Sequence, residues 1–281
     1  MKVCWFSTGI SSFVACYLAK DIDEIIYTHV SNQHPDSLRF LHDCEKTLDR
    51  KITVIQSEEY SGVDDVIEKR KCINTPYGAP CTEWLKKRVR MKWEREHPDH
   101  HIYMWGFDVN EKNRADRVCE ALSDYEHEFP LIEHNLTKQE AHGIAYRLGI
   151  KRPITYDMGY PNNNCIGCVK GGMGYWNKIR VDFPEVFERR ARQEREIGHS
   201  CINGVFLDEL KPCPFCGREI DTDKDIYIPK RDWKPSFYDP DSGGYPVSIH
   251  CECGLEFCPG TWDYKEFIET WNKRVNKKDT K

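Results

Sequence analysis

Short apolar runs alternate with longer amphipathic stretches through the first two thirds of the chain. Residues 3–6 form an apolar run typical of a buried strand, and the apolar residues of 13–18 recur at helical spacing. Further strands are predicted at 24–30, 52–55, 102–105 and 129–132. Because strands that alternate with helices indicate parallel pairing with right-handed crossovers, we expect an α/β fold with a doubly wound, mostly parallel sheet.

Apolar spacing and caps predict where the helices lie. A helix beginning at Pro35 carries Leu38, Leu41 and Leu48 on its predicted apolar side. A Thr-x-x-Glu capping box at residues 137–140 predicts the start of another helix.

The composition narrows the class of protein. The chain has 281 residues, a formal net charge of -5 and a pI near 6.1, which argues against an extensive nucleic-acid surface but allows a local basic patch. It has no run of 18 apolar residues, so we expect no membrane span, and its first residues form a strand pattern rather than a secretory signal. Its 14 cysteines indicate metal or redox chemistry in a reducing compartment, and we expect a cytoplasmic protein.

The segment between the first predicted strand and helix has the composition of an anion-binding turn. Ser7, Thr8 and Gly9 precede the helix, and Ser11 and Ser12 fall in its first turn. A glycine lets the backbone approach a ligand closely, and the unpaired N–H groups and dipole of a helix N-terminus attract an anion. The residues alone are equally compatible with a plain strand–turn–helix connection.

This segment resembles the PP-loop, the pyrophosphate-binding Ser-Gly-Gly-x-Asp-Ser sequence of the adenine nucleotide alpha-hydrolase superfamily. Thr8 stands where the first glycine is usual, and Ser11 stands where the aspartate is usual. Serine at the second position is closer to the sulfonucleotide (PAPS) reductases than to the ATP pyrophosphatases. The resemblance implies that an adenine nucleotide, either ATP or an adenylyl sulfate, binds at Ser7, Thr8, Gly9, Ser11 and Ser12.

Two further segments offer anion-binding side chains. The turn at 32–36 contains His34 and resembles the polar turn that follows the second strand of the PAPS reductase family, although His34 is equally suited to cap a helix. Residues 70–96 carry eight Lys or Arg against three Glu. That excess suits phosphates or a nucleic acid, and a solvated helix face is the alternative.

The segment after the predicted strand at 102–105 also resembles the PAPS reductase family. The residues of this chain that match the family's pattern are Gly106, Glu111, Arg114 and Arg117. In the family, the arginine of this pattern meets the sulfate or phosphate of the nucleotide. A guanidinium suits an oxyanion because it donates two parallel hydrogen bonds. Lys170 is a further candidate for balancing the negative charge. The alternative is an exposed helix with a Glu111–Arg114 ion pair.

Three separated cysteines resemble an iron–sulfur ligand set. Cys81 precedes a predicted helix, whose N-terminus favours the thiolate, and Cys165 and Cys168 form a Cys-x-x-Cys. The resemblance to iron–sulfur PP-loop proteins implies a 4Fe–4S cluster on these three residues, with Cys72 a candidate fourth ligand. A three-cysteine cluster with an open iron is the pattern of tRNA-thiolating PP-loop enzymes, in which the open iron carries sulfur. This resemblance implies that the same three cysteines are catalytic. A zinc site or a redox dithiol pair is the alternative.

The residue composition changes in the last part of the chain, where cysteine pairs flank a region rich in acidic, aromatic, Pro and Gly residues. We therefore predict a nucleotide-binding domain at 1–205 and a zinc-ribbon domain at 206–281. The predicted zinc ligands are Cys213, Cys216, Cys251 and Cys253, with His250 as the alternative to Cys251. Paired thiolates on tight turns close a tetrahedral site, and a segment of this size needs such a staple to fold. The segment resembles the Lar-type restriction-alleviation zinc ribbon of phage and prophage proteins.

Residues 252–255 match the Glu-Cys-Gly-Leu sequence that carries the catalytic cysteine of sulfonucleotide reductases. Because a zinc-bound thiolate cannot also act as a mobile nucleophile, Cys253 is interpreted as a zinc ligand. Beyond it, Asp263 is predicted to cap a helix with Phe267 and Trp271 on its apolar face.

Taken together, residues 1 to about 200 resemble the PAPS reductase family, including its virus-borne members. The resemblance implies a phage-encoded chain, for which the expected location is the host cytoplasm. The resemblance implies an enzyme of sulfur chemistry that adenylates an acceptor oxygen, so that sulfur displaces AMP. One alternative is a reductase that releases sulfite from an adenylyl sulfate with a thioredoxin-like reductant. Another is a non-catalytic nucleotide-binding or restriction-alleviation protein. The zinc ribbon is expected to recruit a nucleic-acid acceptor or a protein partner.

Overall fold

The computed structural model describes residues 1–19, 21–75, 78–202, 205–209, 220, 222–227, 247–251, 254–261 and 263–275. The chain divides into two compact units, the first formed by residues 1–69 and 80–165 and the second by residues 70–79 and 166–281. Each unit is described by itself. Within the described residues, no helix combines the length and apolar composition needed to cross a bilayer.

The first unit is built on a five-stranded parallel sheet. Its strands are β1 (Lys2–Phe6), β2 (Glu24–Thr28), β3 (Thr53–Ile55), β4 (Ile102–Met104) and β5 (Glu126–Glu128). They lie in the order β3-β2-β1-β4-β5, and every neighbouring pair is parallel. The strand order reverses at β1, so a crevice is expected beyond the carboxyl ends of β1 and β4.

Helices connect the strands of the first unit. They are α1 (Ile10–Leu18), α2 (Asp36–Leu48), α3 (Val63–Arg70), α4 (Pro80–Thr82), α5 (Arg88–Glu96), α6 (Lys112–Ala121), α7 (Pro130–Glu133), α8 (Lys138–Arg147) and α9 (Ile154–Asp157). A π-helical stretch, Glu83–Lys87, joins α4 to α5, and a 3₁₀ turn, Val109–Glu111, precedes α6.

Alternating side chains of the sheet enter two apolar cores. Phe6 of β1 packs with Phe13 of α1 and Phe40 of α2 on one face. On the other face, Val3 packs with Trp93 of α5. Helices therefore cover both faces, and the predicted α/β fold with a doubly wound parallel sheet is confirmed.

The predicted capping box also forms, but two local predictions are wrong. The Thr137 hydroxyl accepts a hydrogen bond from the backbone N–H of Glu140, the Thr137 N–H donates to the Glu140 carboxylate, and α8 follows. Residues 129–132 are not a strand: β5 ends at Glu128, and Pro130 begins α7, because its fixed φ and missing N–H suit the first helical position. Leu38 is 40% exposed, because α2 turns Phe40 toward the core instead.

The second unit combines helices with a small antiparallel sheet. Its elements are α10 (Met173–Asp182), α11 (Pro184–Ile197), α12 (Thr222–Asp225), β6 (Ile226–Tyr227), β7 (Ser248–His250), β8 (Glu256–Phe257) and α13 (Tyr264–Val275), with the strands in the order β6-β7-β8. Asp263 caps α13 by accepting the N–H of Glu266 at 2.8 Å, and Phe267 and Trp271 are fully buried, as predicted.

The core of the second unit spans the boundary that we predicted near residue 205. Met173 of α10 and Val205 belong to the same apolar cluster as Ile249, Phe267 and Trp271. The predicted boundary therefore lies inside the second unit, whereas contacts divide the chain at Cys165. The assignment of a zinc ribbon to residues 206–281 stays a prediction.

Candidate nucleotide site

Ser12 fastens the loop between β1 and α1, residues 7–9, to the first turn of the helix. Its buried hydroxyl accepts hydrogen bonds from the backbone N–H of Ser7 at 3.2 Å and from the Ser7 hydroxyl at 3.1 Å. The same hydroxyl donates to the carbonyl of Gly9 at 2.9 Å. Ser12 therefore shapes the loop, while Ser7 stays exposed at its outer edge.

Thr8 adopts a backbone conformation that glycine reaches more easily. It has a φ of 55° and no exposed surface, so a β-branched residue occupies the left-handed region. For residues other than glycine this conformation costs about 1–2 kcal/mol. Gln33 donates to the Thr8 hydroxyl at 3.3 Å, and Asn163 donates to the Thr8 carbonyl at 2.8 Å. Two side chains from other segments thus brace a strained residue in the loop.

The start of α1 retains the features of an anion site. Gly9 is its N-cap residue, has an extended backbone and offers no side chain of its own as a cap. The backbone N–H of Ile10 is directed to the hydroxyl of Tyr156. The positive end of the helix dipole and the later N–H groups of a first helical turn attract an anion.

Gly106 lets the segment just after β4 approach the first turn of α1. A Cβ atom at this position would lie 2.5 Å from Cα and 2.6 Å from N of Ser12, and 2.8 Å from the carbonyl carbon of Ser11. These are backbone atoms of the turn that follows the loop, so no side chain can rotate away to make room. Gly106 thus acts through backbone packing beneath the predicted phosphate site.

A cavity of about 220 Å³ opens at the carboxyl ends of β1, β2 and β4, where the strand order reverses. Its lining combines aromatic rings, cations and polar groups. The lining residues are Trp5, Phe6, Ser7, Tyr27, Thr28, Gln33, Lys86, Lys87, Arg90 and Trp105. Aromatic surface beside cations is the combination that a nucleotide requires, since its base stacks and its phosphates are negatively charged.

The positive charge at the cavity comes from one side of the helix that follows Pro80. Lys86 and Lys87, at the end of the π-helical stretch, lie four and three residues before Arg90 in the first turn of α5. Lys87 lies 3.8 Å from Glu83, and Arg90 lies 3.3 Å from Glu94. Among the described residues Lys86 has no ion pair, so the cluster presents uncompensated positive charge.

Nε1 of Trp5, a residue that lines the cavity, is a buried donor without a hydrogen-bond partner within the part of the chain that the structure describes. Nε of Arg90 is 3.3 Å from the carboxylate of Glu94. A buried donor without a partner costs about 1–3 kcal/mol, which a ligand acceptor atom or a water molecule would recover. The cavity is therefore suited to a ligand that carries hydrogen-bond acceptors as well as an apolar ring.

Cys165 is a thiol that the fold brings beside the cavity. Its backbone forms an isolated antiparallel bridge with Gln33, which lines the cavity. Burial raises the pKa of Tyr27 well above its ordinary value, and the charge of a Cys165 thiolate raises the pKa of Tyr27 further. The sequence motif thus places one member of the Cys-x-x-Cys within the first unit, next to two cavity residues.

Several residues predicted to bind the nucleotide lie outside the cavity lining. His34 accepts the backbone N–H of Asp36 at 3.1 Å, which is the helix-capping alternative. Glu111 completes a capping box with Asp108 and accepts a hydrogen bond from Arg114 at 2.6 Å, as in the ion-pair alternative. Contacts with a nucleotide by these residues stay predictions.

Arg117 and Lys170 were predicted to balance the charge of the nucleotide. Arg117 is exposed, and its Nε donates to the carbonyl of Asn113 at 3.1 Å. Lys170 is exposed and belongs to the second unit. Their predicted role is not tested by these positions.

The predicted cluster ligands are divided between the two units. Cys81 and Cys165 belong to the first unit, whereas Cys168 belongs to the second, where its backbone N–H donates to the hydroxyl of Tyr175 at 2.9 Å. Over the described residues, no group of three or more His, Cys, Asp or Glu side chains is placed to hold a metal ion. The 4Fe–4S cluster on these three cysteines stays a prediction.

The predicted zinc site cannot be assembled from described residues either. Cys213, Cys216 and Cys253 lie outside them. Cys251 is buried in the core of the second unit, and its N–H donates to the carbonyl of Leu255 at 2.8 Å. Zinc binding there stays a prediction.

No local pattern of residues singled out the two side chains that brace the loop. Gln33 was part of a polar turn, and Asn163 was one of three consecutive asparagines. Their convergence on Thr8 is a contact across 25 and 155 positions of sequence. The basic run at 70–96 predicted cations for phosphates or a nucleic acid, or a solvated helix face, and it did not single out Lys86, Lys87 and Arg90 as cavity residues.

No family model matches the sequence, and neither does any curated protein. Among solved structures, the chain is similar to the crystal structure of phosphoadenylyl-sulfate (PAPS) reductase from Candida auris in its phosphate complex. The sequence identity is 10%, the TM-score is 0.44, and the match covers 58% of this chain and 80% of that one. A likeness of this size carries no conclusion about activity, so the function proposed below rests on the residues of the site.

Proposed function

We propose that the first unit binds an adenine nucleotide in the cavity at the carboxyl ends of β1 and β4. The observation that supports this most is the meeting of three features at one sheet edge: a helix start with glycine at its N-cap behind Ser7, an aromatic lining, and the cations Lys86, Lys87 and Arg90. In this arrangement the phosphates lie at the loop and the cations, and the base lies against the aromatic side chains.

The nucleotide serves sulfur chemistry in this proposal, as the resemblance to the PAPS reductase family implies. With ATP, an acceptor oxygen attacks the α-phosphorus and pyrophosphate leaves, and a sulfur nucleophile then displaces AMP. Cationic side chains at the phosphates stabilise the charge that develops on the leaving group. Because the described residues offer no set of three metal ligands, no step passes through the predicted cluster. Cys165 is a thiol beside this site, since its backbone bridges Gln33 and its charge acts on Tyr27.

Calorimetric titration with ATP, adenylyl sulfate, AMP and GTP tests nucleotide binding. The informative variant is Lys86→Ala combined with Lys87→Ala, and the control is Lys112→Ala, another exposed lysine of the same unit that does not line the cavity. Removing two partly exposed cations costs about 1 kcal/mol each, so affinity should fall about 10- to 30-fold. The affinity of the native protein should also fall as salt is raised, since the charges are screened.

The products identify the reaction. Adenylation predicts pyrophosphate release from ATP in the presence of an acceptor, whereas a reductase predicts sulfite release from adenylyl sulfate with a thioredoxin-like reductant. Binding that the lysine pair does not influence, or the absence of binding to every adenine nucleotide, would refute the proposal. Tight binding without turnover of either nucleotide would favour a nucleotide-binding protein without catalytic activity.

A further inference from the structure

Asn163 joins three segments of the first unit through its carboxamide. It is 7% exposed, and its Nδ2 donates to the carbonyl of Thr8 at 2.8 Å and to the hydroxyl of Ser37 at 3.0 Å. Its Oδ1 accepts the hydroxyl of Thr155 at 2.9 Å. Both N–H donors and the carbonyl of one amide are thus used, which fixes the side chain in a single orientation.

The bond to Thr8 falls on the strained residue of the β1–α1 loop. The Thr8 carbonyl is held by Asn163, while the Thr8 hydroxyl is held by Gln33. A threonine at a φ of 55° would relax toward the extended region if these bonds were lost, and the path of the loop into α1 would change with it. Glycine reaches the left-handed region without cost, so a chain with glycine at position 8 would not need the brace.

We infer that Asn163 is a positioning residue, which holds Thr8 in the left-handed conformation and thereby keeps the loop in the shape that receives phosphate. This inference rests on the proposed nucleotide site. Asn163 also stands two residues before Cys165, whose backbone bridges Gln33, the other brace. The segment 163–165 therefore carries one brace of the loop and contacts the second.

The inference makes a specific claim about how two substitutions combine. Asn163→Ala removes the brace and should weaken ATP binding about tenfold or more, because the ligand must then restore the disfavoured conformation. In a Thr8→Gly background the same substitution should weaken binding less than about threefold, because glycine needs no brace. A role of Asn163 in general stability predicts the same loss in both backgrounds.

The experiment compares the native protein, Asn163→Ala, Thr8→Gly and the double variant by calorimetric titration with ATP. Asn164→Ala is the matched control, since it changes the neighbouring, exposed asparagine and should leave affinity unchanged. Thr155→Val is a milder variant in case Asn163→Ala does not fold. It removes only the hydroxyl that orients the carboxamide, and it should show a smaller loss that Thr8→Gly again suppresses.

Amide hydrogen exchange of residues 5–14 without ligand separates the two proposals. The positioning role predicts that Asn163→Ala exchanges faster than the native protein, whereas the double variant exchanges at nearly the rate of Thr8→Gly. That result would support positioning even if no nucleotide binds. Absence of ATP binding by the native protein would overturn only the proposed function. Equal affinity losses in both backgrounds, or exchange at 5–14 that Asn163→Ala does not alter, would overturn the positioning role.

Discussion

Replacing Gly106 by alanine tests the close approach of the segment after β4 to α1. The added Cβ would meet Cα and N of Ser12 at 2.5 and 2.6 Å, distances shorter than real Cβ atoms show. Since the atoms it meets belong to the backbone, either the segment after β4 or the first helical turn must move. Overpacking of this kind costs about 1–3 kcal/mol. The displaced turn is the one that carries the loop, so nucleotide affinity should fall together with stability.

Gly143→Ala provides a matched control in the same unit. A Cβ at Gly143 would have only ordinary contact with Nη1 of Arg147, at 3.5 Å, and alanine is favoured over glycine inside a helix such as α8 by about 1 kcal/mol. We therefore expect opposite signs from one chemical change. Gly106→Ala should lower the midpoint of thermal unfolding by about 2–4 °C per kcal/mol, and Gly143→Ala should raise it.

Two assays measure the outcome, namely thermal unfolding and calorimetric titration with ATP. A penalty of 1–3 kcal/mol corresponds to about a fivefold to 150-fold change in an equilibrium constant, divided between unfolding and binding. If Gly106→Ala unfolds and binds like the native protein, the loop does not rest on the segment after β4 as described. If it loses stability but binds ATP with unchanged affinity, the packing is correct and its link to the nucleotide site is wrong.

Three further expectations follow from other parts of the structure. Burial, and then neighbouring positive charge, lowers the pKa of His142 below its ordinary value. The unfolded chain therefore binds the proton more readily, and the free energy of unfolding falls as the pH drops below about 6.5. His142→Phe should reduce that fall, as measured by urea unfolding at several pH values. Thr137→Ala should cost about 0.5–2 kcal/mol through loss of the cap of α8, and Thr137→Ser should cost much less; equal urea midpoints for the two would contradict the cap. Anaerobic purification should give about four irons and absorbance near about 400 nm if Cys81, Cys165 and Cys168 hold a cluster, and one zinc if the ribbon forms; iron-free protein after reconstitution would remove the cluster from consideration.

Local sequence signals predicted much of the fold because their physical causes are local. The Thr137–Glu140 box and the Asp263 cap each involve side chains within three residues of the N–H groups they satisfy. The signal failed at Pro130, where an apolar run of strand length was in fact a helical turn. Short apolar runs fit either a strand or a buried helix, and only the position of the neighbouring strand β5 resolved the choice.

The sequence by itself determined the alternation of strands and helices, the loop at residues 7–9, and the predicted parallel sheet, because periodicity and turn chemistry act over a few residues. Only the tertiary structure decided which polar groups meet at that loop. Asn163 and Gln33 reach Thr8, and Lys86 faces the same cavity as Ser7, because the strand order brings distant connections to one edge of the sheet. Contacts of that range depend on how the whole chain packs, so no local pattern of residues reveals them.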